Sequence, residues 1–192
     1  MHRTSAALEA AHLIDRLERL ARSDEQAGNL NPAQWEALRY LARANRFSRT
    51  PGALADYLAS TRGTVSRTLA SLEAKGYVTR RSNVRDGRSV AFELSAEGER
   101  IVERDPLLSL AEDIQRAAGS DVGVVRDVLR RTLQAAIDRN RGRAFGICRT
   151  CRHFRAHMRP STGTPHHCAL LDEPLSESDS HSICAEQEPV AA

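Results

Sequence analysis

The stretch LADYLASTRGTVSRTLASLEAKGYVTRRSNVRDGRSVAFELSAEG, residues 54–98, changes period part-way along. Its first half is helical. Thr50-Pro51-Gly52 opens a short apolar helix through Ala53, Leu54 and Leu58, Pro being pre-set for the first helical position. The polar turn Ala59-Ser60-Thr61-Arg62-Gly63 follows, and Ser60-Thr61 caps a second helix. Val65, Leu69 and Leu72 fall on one face of that helix, at the spacing that marks a core side. It stops at Lys75-Gly76, where Gly takes the left-handed conformation a helix end requires. Beyond it, Tyr77-Val78-Thr79-Arg80 and Ser89-Val90-Ala91-Phe92-Glu93-Leu94 read as two short strands joined through Asp86-Gly87, a hairpin-turn pair.

Two helices across a tight turn, then a two-stranded hairpin, make a winged helix-turn-helix. In such a motif the second helix enters the major groove of DNA while the first braces it. Here the second helix turns Arg62, Thr64, Ser66, Arg67 and Thr68 outward. Arg forks onto guanine, and Ser or Thr reaches a base edge or a phosphate. Thr61 sits at the start of the same face, and Val65 is either core or a contact to a thymine methyl.

Charge agrees with this reading. Between Arg39 and Phe92 there are 11 Lys+Arg and 3 Asp+Glu, a net of +8, the footprint expected of a nucleic-acid surface. Arg126 to Arg159 carries a second +8 block, whereas the chain from Pro160 onward has six acids and no Lys or Arg. Those last two blocks are neighbours and are expected to neutralise each other. The whole chain of 192 residues therefore has a net charge of only +3.

Outward from the core motif the pattern is helical again. Leu8, Ala11, Ile14, Leu17 and Ala21 recur at steps of three and four, giving an amphipathic helix of about four turns. Asn31-Pro32 starts the next helix, with Trp35, Leu38 and Leu41-Ala42 on its inner side. Ser95-Ala96-Glu97 begins another, which Asp105-Pro106 interrupts. Ser120-Asp121 caps a last long helix bearing Val125, Leu129, Leu133, Ala136 and Ile137. The two outer helices have apolar faces with no partner in so small a module, which predicts burial across a two-fold axis. The expected fold is mainly α, divided into residues 1–30 (dimerisation helix), 31–98 (winged helix), 99–142 (dimerisation helices) and 143–192 (a cysteine segment held by metal).

Taken together, the LA-x-x-L, T-V-S-R-x-L-x-x-L-E-x-K-G-Y-V, D-G-R-S and L-S-x-x-G strings of residues 54–98 resemble the MarR family of bacterial transcription regulators. The resemblance implies a homodimer with one recognition helix per half-site of double-stranded operator DNA. It also implies a wing in which Arg88 reaches the minor groove, with Asp86 orienting it or a neighbour such as Arg85. A narrow A·T-rich minor groove concentrates the negative potential such an arginine seeks.

The four cysteines, Cys148, Cys151, Cys168 and Cys184, all lie in the last quarter of the chain. The start, Met1-His2-Arg3-Thr4-Ser5, lacks the apolar centre of a signal peptide, and no apolar run approaches the roughly 20 residues of a membrane span. The expected compartment is the cytoplasm, with no membrane partner, and there cysteines serve as metal ligands more often than as disulfides. Four soft ligands suit zinc or an iron–sulfur cluster. CRTCRHF, GTPHHC and ICAEQEP resemble the motifs of high-potential iron–sulfur proteins and of the cluster-bearing small subunits of some glycyl-radical enzymes; that resemblance implies a 4Fe-4S cluster. The segment is too poor in apolar residues to fold by burial alone and needs such a staple. His153, His157, His166, His167 and His181 read as solvated surface residues that could serve as outer donors.

These observations point to a DNA-binding regulator, a repressor, whose cluster senses iron, redox state, oxygen or nitric oxide. One alternative is the same regulator with structural zinc and a small-molecule effector. Another is a redox or electron-transfer module using its winged helix for protein contacts. No catalytic triad, phosphate loop or paired-carboxylate site is evident, so an enzyme is not expected.

Overall fold

The computed structural model describes residues 5–26, 29–82, 90–140, 142–158 and 163–190. Its elements run α1 (Ala6–Gln26), α2 (Pro32–Arg43), α3 (Pro51–Tyr57), α4 (Arg62–Ala74), β1 (Val78–Ser82), β2 (Val90–Leu94), α5 (Ala96–Val102), α6 (Leu107–Ala118) and α7 (Val122–Arg139). A small C-terminal unit follows, with β3 (Phe154–Arg155), β4 (His166–Cys168), β5 (Glu173–Leu175) and α8 (Glu177–Ser180). Among the described residues no helix is long and apolar enough to cross a membrane.

Local chemistry sets each boundary. Asn31 caps α2 in a reciprocal box with Gln34, and Pro32 occupies the first turn. Thr50 caps α3 through Ala53 N, Thr61 caps α4 through Thr64 N, and Ser95 caps α5 through Gly98 N. Gly76 closes α4 at φ +78°. The wing is antiparallel, pairing Val78 with Leu94 and Ser82 with Val90. Gly98 explains the closing L-S-x-x-G string: a Cβ there would collide with the carbonyl oxygen of Tyr77. Only glycine lets α5 approach the base of the wing this closely. Asp105 receives two hydrogen bonds from the Arg39 guanidinium and caps Leu107 N, which fixes the break between α5 and α6 to α2.

Several sequence expectations change. The first helix is 21 residues long, more than the four turns its apolar repeat marks. Ala42 faces solvent; Ala37 and Tyr40 join Trp35, Leu38 and Leu41 in the core instead. The chain between Pro106 and Ser120 forms α6, an amphipathic helix beyond the break at Asp105-Pro106. Asp121 stands at the start of α7 but makes no side-chain cap.

The core gathers Leu38, Leu41, Leu54, Val65, Leu69, Leu72, Val78 and Phe92, and it also takes in Ile183 and Ala185 from the far end of the chain. The C-terminal segment thus shares the core of the winged helix, although its own composition is thin. Phe145 reaches the same side, packing edge-on against Tyr57 at 5.2 Å and Tyr40 at 6.3 Å. By contrast α1, α6 and α7 turn Leu13, Leu17, Leu108, Val128 and Leu133 outward, each 43–61% exposed.

Candidate DNA-reading face and four-cysteine site

Two groups of sequence-predicted residues stand apart on this scaffold. The first is the outer face of α4. Arg62, Thr64, Ser66 and Arg67 are exposed there, side by side on the first two turns. Thr61 is exposed too, but its Oγ1 accepts from Thr64 N at 3.1 Å and so serves the helix start. Arg62 and Arg67 enter no ion pair among the described residues, which leaves both guanidinium groups available to an outside acceptor. Val65 is 2% exposed and lies inside the core; the thymine-contact reading is corrected, because the rotation that aims Arg62 and Ser66 outward turns Val65 inward. Arg85, Asp86 and Arg88 lie outside the described residues.

The second group is the cysteines. Cys148 and Cys184 are buried, Cys151 and Cys168 half-buried, and none is in a disulfide. All four border one small, largely apolar hollow, lined otherwise by Phe154, Leu170, Leu175 and Glu186. Cys148 and Cys151 are presented by a single 3-10 turn over Cys148–Thr150, Cys168 ends β4, and Cys184 follows α8. Isolated bridges join Ile147 to Ile183 and Cys151 to Pro189, so the ends of the segment close on each other.

Hydrogen-bond donors surround the sulfurs. Asn45 Nδ2 donates to Cys148 Sγ at 3.2 Å, and the Glu188 backbone N–H points at Cys151 Sγ at 3.4 Å. The Cys184 thiol is drawn down to about 6 by the Cys148 thiol beside it, helped by the Glu186 N–H, Asn45 and Ser48 and opposed by burial. Cys148 is pushed up by the same shared hydrogen bond and by burial. The shared hydrogen bond and the surrounding donors favour a single thiolate within the Cys148–Cys184 pair.

Among the described residues no three His, Cys, Asp or Glu side chains are arranged to hold one metal ion. Zinc binds sulfur at about 2.3 Å and would draw four sulfurs together around a point. A four-iron cluster spreads its four thiolates around a larger body. Four soft donors around a shared, largely apolar hollow suit either group by their chemistry.

The histidines divide. His166 is 4% exposed, contrary to its surface reading, and its Nε2 meets Glu177 Oε2 at 2.7 Å. Its ring also stacks near Phe154, at 5.0 Å. His181 reaches Glu177 as well, and these contacts hold that carboxyl below its usual range, His166 contributing most. The expected neutralisation of the basic block by the acidic tail takes the form of Arg143–Glu186, Arg149–Glu177 and Arg152–Glu188 pairs.

The turn between α2 and α3 was not legible as part of either site. Asn45 and Ser48 are each 2% exposed. Asn45 Oδ1 accepts from Phe47 N and Ser48 N, and Ser48 Oγ accepts from Ala185 N at 2.9 Å. An Asn just past a helix end signals such a turn, but nothing local announces a partner 103 residues away.

A MarR family model matches residues 29–89. The matched span runs from the start of α2 through the wing, and the cysteine segment lies outside it. Comparison with curated proteins finds no match. Solved structures similar to this MarR-like module and its flanking helices include Staphylococcus aureus MepR in a complex with DNA. It is 18% identical over 71% of this chain and 99% of that one, with a TM-score of 0.55. The apo form of wild-type Escherichia coli MarR is 24% identical over 65% of this chain and 95% of that one, with a TM-score of 0.50. At these identities the likeness is one of fold. It covers the MarR-like winged helix that carries Arg62, Thr64, Ser66 and Arg67.

Proposed function

We propose that the protein is a dimeric DNA-binding transcriptional regulator, a repressor, that reads operator DNA with α4 and senses through an iron–sulfur cluster held by Cys148, Cys151, Cys168 and Cys184. The observation that carries the DNA reading is the exposed Arg62, Thr64, Ser66 and Arg67 face on a winged-helix scaffold. The family match over residues 29–89 and the fold shared with a DNA-bound MepR support it. Exposed apolar faces on α1, α6 and α7 supply the surface for a two-fold dimer.

The cluster reading is supported by four soft donors lining one largely apolar hollow. When bound, a 4Fe-4S cluster supplies sensitivity to oxidants and nitric oxide that zinc lacks. The chain's own residues bury the sulfurs, supply N–H donors to them and restrict solvent.

The test joins two measurements on anaerobically purified protein. Iron, sulfide and zinc are quantified. Binding is then titrated, at several salt concentrations, against a duplex selected by the protein from a random-sequence pool. Iron and sulfide at one cluster per chain, with affinity falling steeply as salt rises, is the expected result. Stoichiometric zinc without iron removes the cluster and leaves the metal site. Absence of any salt-dependent DNA binding removes the regulator.

A further inference from the structure

The turn over residues 44–50 is where the cysteine segment and the DNA-reading module meet. On one side it holds the cysteines. Asn45 Nδ2 donates to Cys148 Sγ, Asn45 N donates to Ile183 O at 2.8 Å, and Ile183 N donates to Arg43 O at 2.7 Å. Ser48 Oγ receives Ala185 N, and the Arg46 guanidinium binds both Asp179 and the Pro174 carbonyl. On the other side it holds the reading elements. Thr50 caps α3, Phe92 N of β2 donates to Arg49 O at 2.8 Å, and Tyr40 Oη donates to Ser48 O at 2.7 Å. A shift in this turn therefore moves the helix that braces α4 and the strand that carries the wing.

We propose that Asn45 is the positioning residue of the four-cysteine site, and that through the 44–50 turn the loaded site holds α3, α4 and the wing in their DNA-binding arrangement. This rests on the metal-binding reading above. Its direction comes from Cys184, which lies between Ile183 and Ala185, both buried in the winged-helix core. A bond from Cys184 to a bound group fixes those two neighbours, so loading completes the core and unloading loosens it. The loaded form is the one that binds DNA.

Asn45 performs two separable tasks. Its Oδ1 shapes the turn through Phe47 N and Ser48 N, and its Nδ2 donates to sulfur. Asn45→Asp keeps the first and replaces the second with an acceptor. Asn45→Ser keeps a weaker turn acceptor and replaces the amide donor with a shorter hydroxyl. Hydrogen bonds to cluster sulfurs tune the reduction potential, and partners beyond the ligands typically carry about 10–100-fold in metal affinity.

The experiment uses the full chain, purified anaerobically as wild type, Asn45→Asp and Asn45→Ser. Metal content, the potential from a redox titration of the visible absorbance, thermal melting, and affinity for the selected duplex are measured in parallel. Both variants are expected to melt cooperatively, to hold metal about 10–100-fold less tightly, to show a more negative potential and to bind the duplex more weakly. Chelator-treated wild type is expected to lose duplex affinity in the same direction. Should the variants not fold, hydrogen exchange on wild type decides: stripping the metal should speed exchange at the Asn45, Ser48 and Ala185 amides. Unchanged exchange there overturns the proposal. So does a metal-loaded wild type whose folded Asn45 variants match it in metal retention, potential and affinity, or a stripped protein that binds the duplex as tightly as before. A wild type that never carries metal overturns the metal-binding reading and this proposal with it.

Discussion

Arg67 illustrates what one position on α4 is asked to do. It is exposed, two residues from buried Val65, and aimed away from the core. Replacing Arg67 by Ala removes a donor that DNA would meet but nothing the fold uses. Thermal melting is expected to stay within error while affinity for the selected duplex drops by about 1–3 kcal/mol, with tolerance rising at a single base position. Arg62→Ala shares the loss of affinity; if its role is phosphate contact, the loss is uniform across sequences and the salt slope becomes shallower by about one. A competition titration over single-base variants of the duplex distinguishes the two. The outward placement of Arg62 and Arg67 was readable in the sequence because helical period alone separates them from Val65 and Leu69. The role of Asn45 was not, since its partner Cys148 is 103 residues away and no pattern links them.

At the scale of elements, α1 and α7 carry the clearest unspent potential. Leu17 is 43% exposed and Leu133 61%, on helices whose apolar sides meet no core of their own chain. Leu17→Asp and Leu133→Asp should convert a dimer to monomers in light scattering and abolish tight operator binding, because a lone module contacts one half-site only. A variant that remains dimeric, or a monomer that retains full affinity, contradicts the assignment of these faces. The elements differed in how plainly they were written. Caps and breakers marked α2, α3, α4 and α5: Asn31, Thr50, Thr61 and Ser95 each make the side-chain bond their position promised. The helix α6 has no capping side chain, starting from Pro106, and no fully buried residue. Its apolar repeat at Leu107, Leu110 and Ile114 is plain, but no side-chain cap marks where it begins.

Across the molecule, the winged helix and the cysteine segment share one core. Composition suggested a segment held by metal alone, since burial contributed by residues far away in sequence is invisible to a local count. Ile183 is 3% exposed and Ala185 9%. Ile183→Ala should therefore destabilise the winged helix itself, by about 2–5 kcal/mol, and denaturant melts followed at Trp35 and by far-ultraviolet circular dichroism should shift together. Separate transitions for the two regions would contradict a shared core. That the four cysteines gather at one place was legible from their spacing and soft-donor chemistry. Their hollow was not, because it is assembled from a 3-10 turn, a strand end and a residue four places beyond a short helix.

The place of Ile183 also bears on how the chain is made. Domains fold as units while the ribosome extends them, at about 5–20 residues per second. A nascent chain that has released everything through Arg139 has all of α2, α3, α4 and the wing, yet lacks two of the residues that fill their core. The winged helix reaches its final packing only after Cys148, Cys151, Cys168 and Cys184 have all been synthesised. Ribosome-bound chains arrested before Ile183 should then be cut by protease within the winged helix, and chains released past Ala185 should resist.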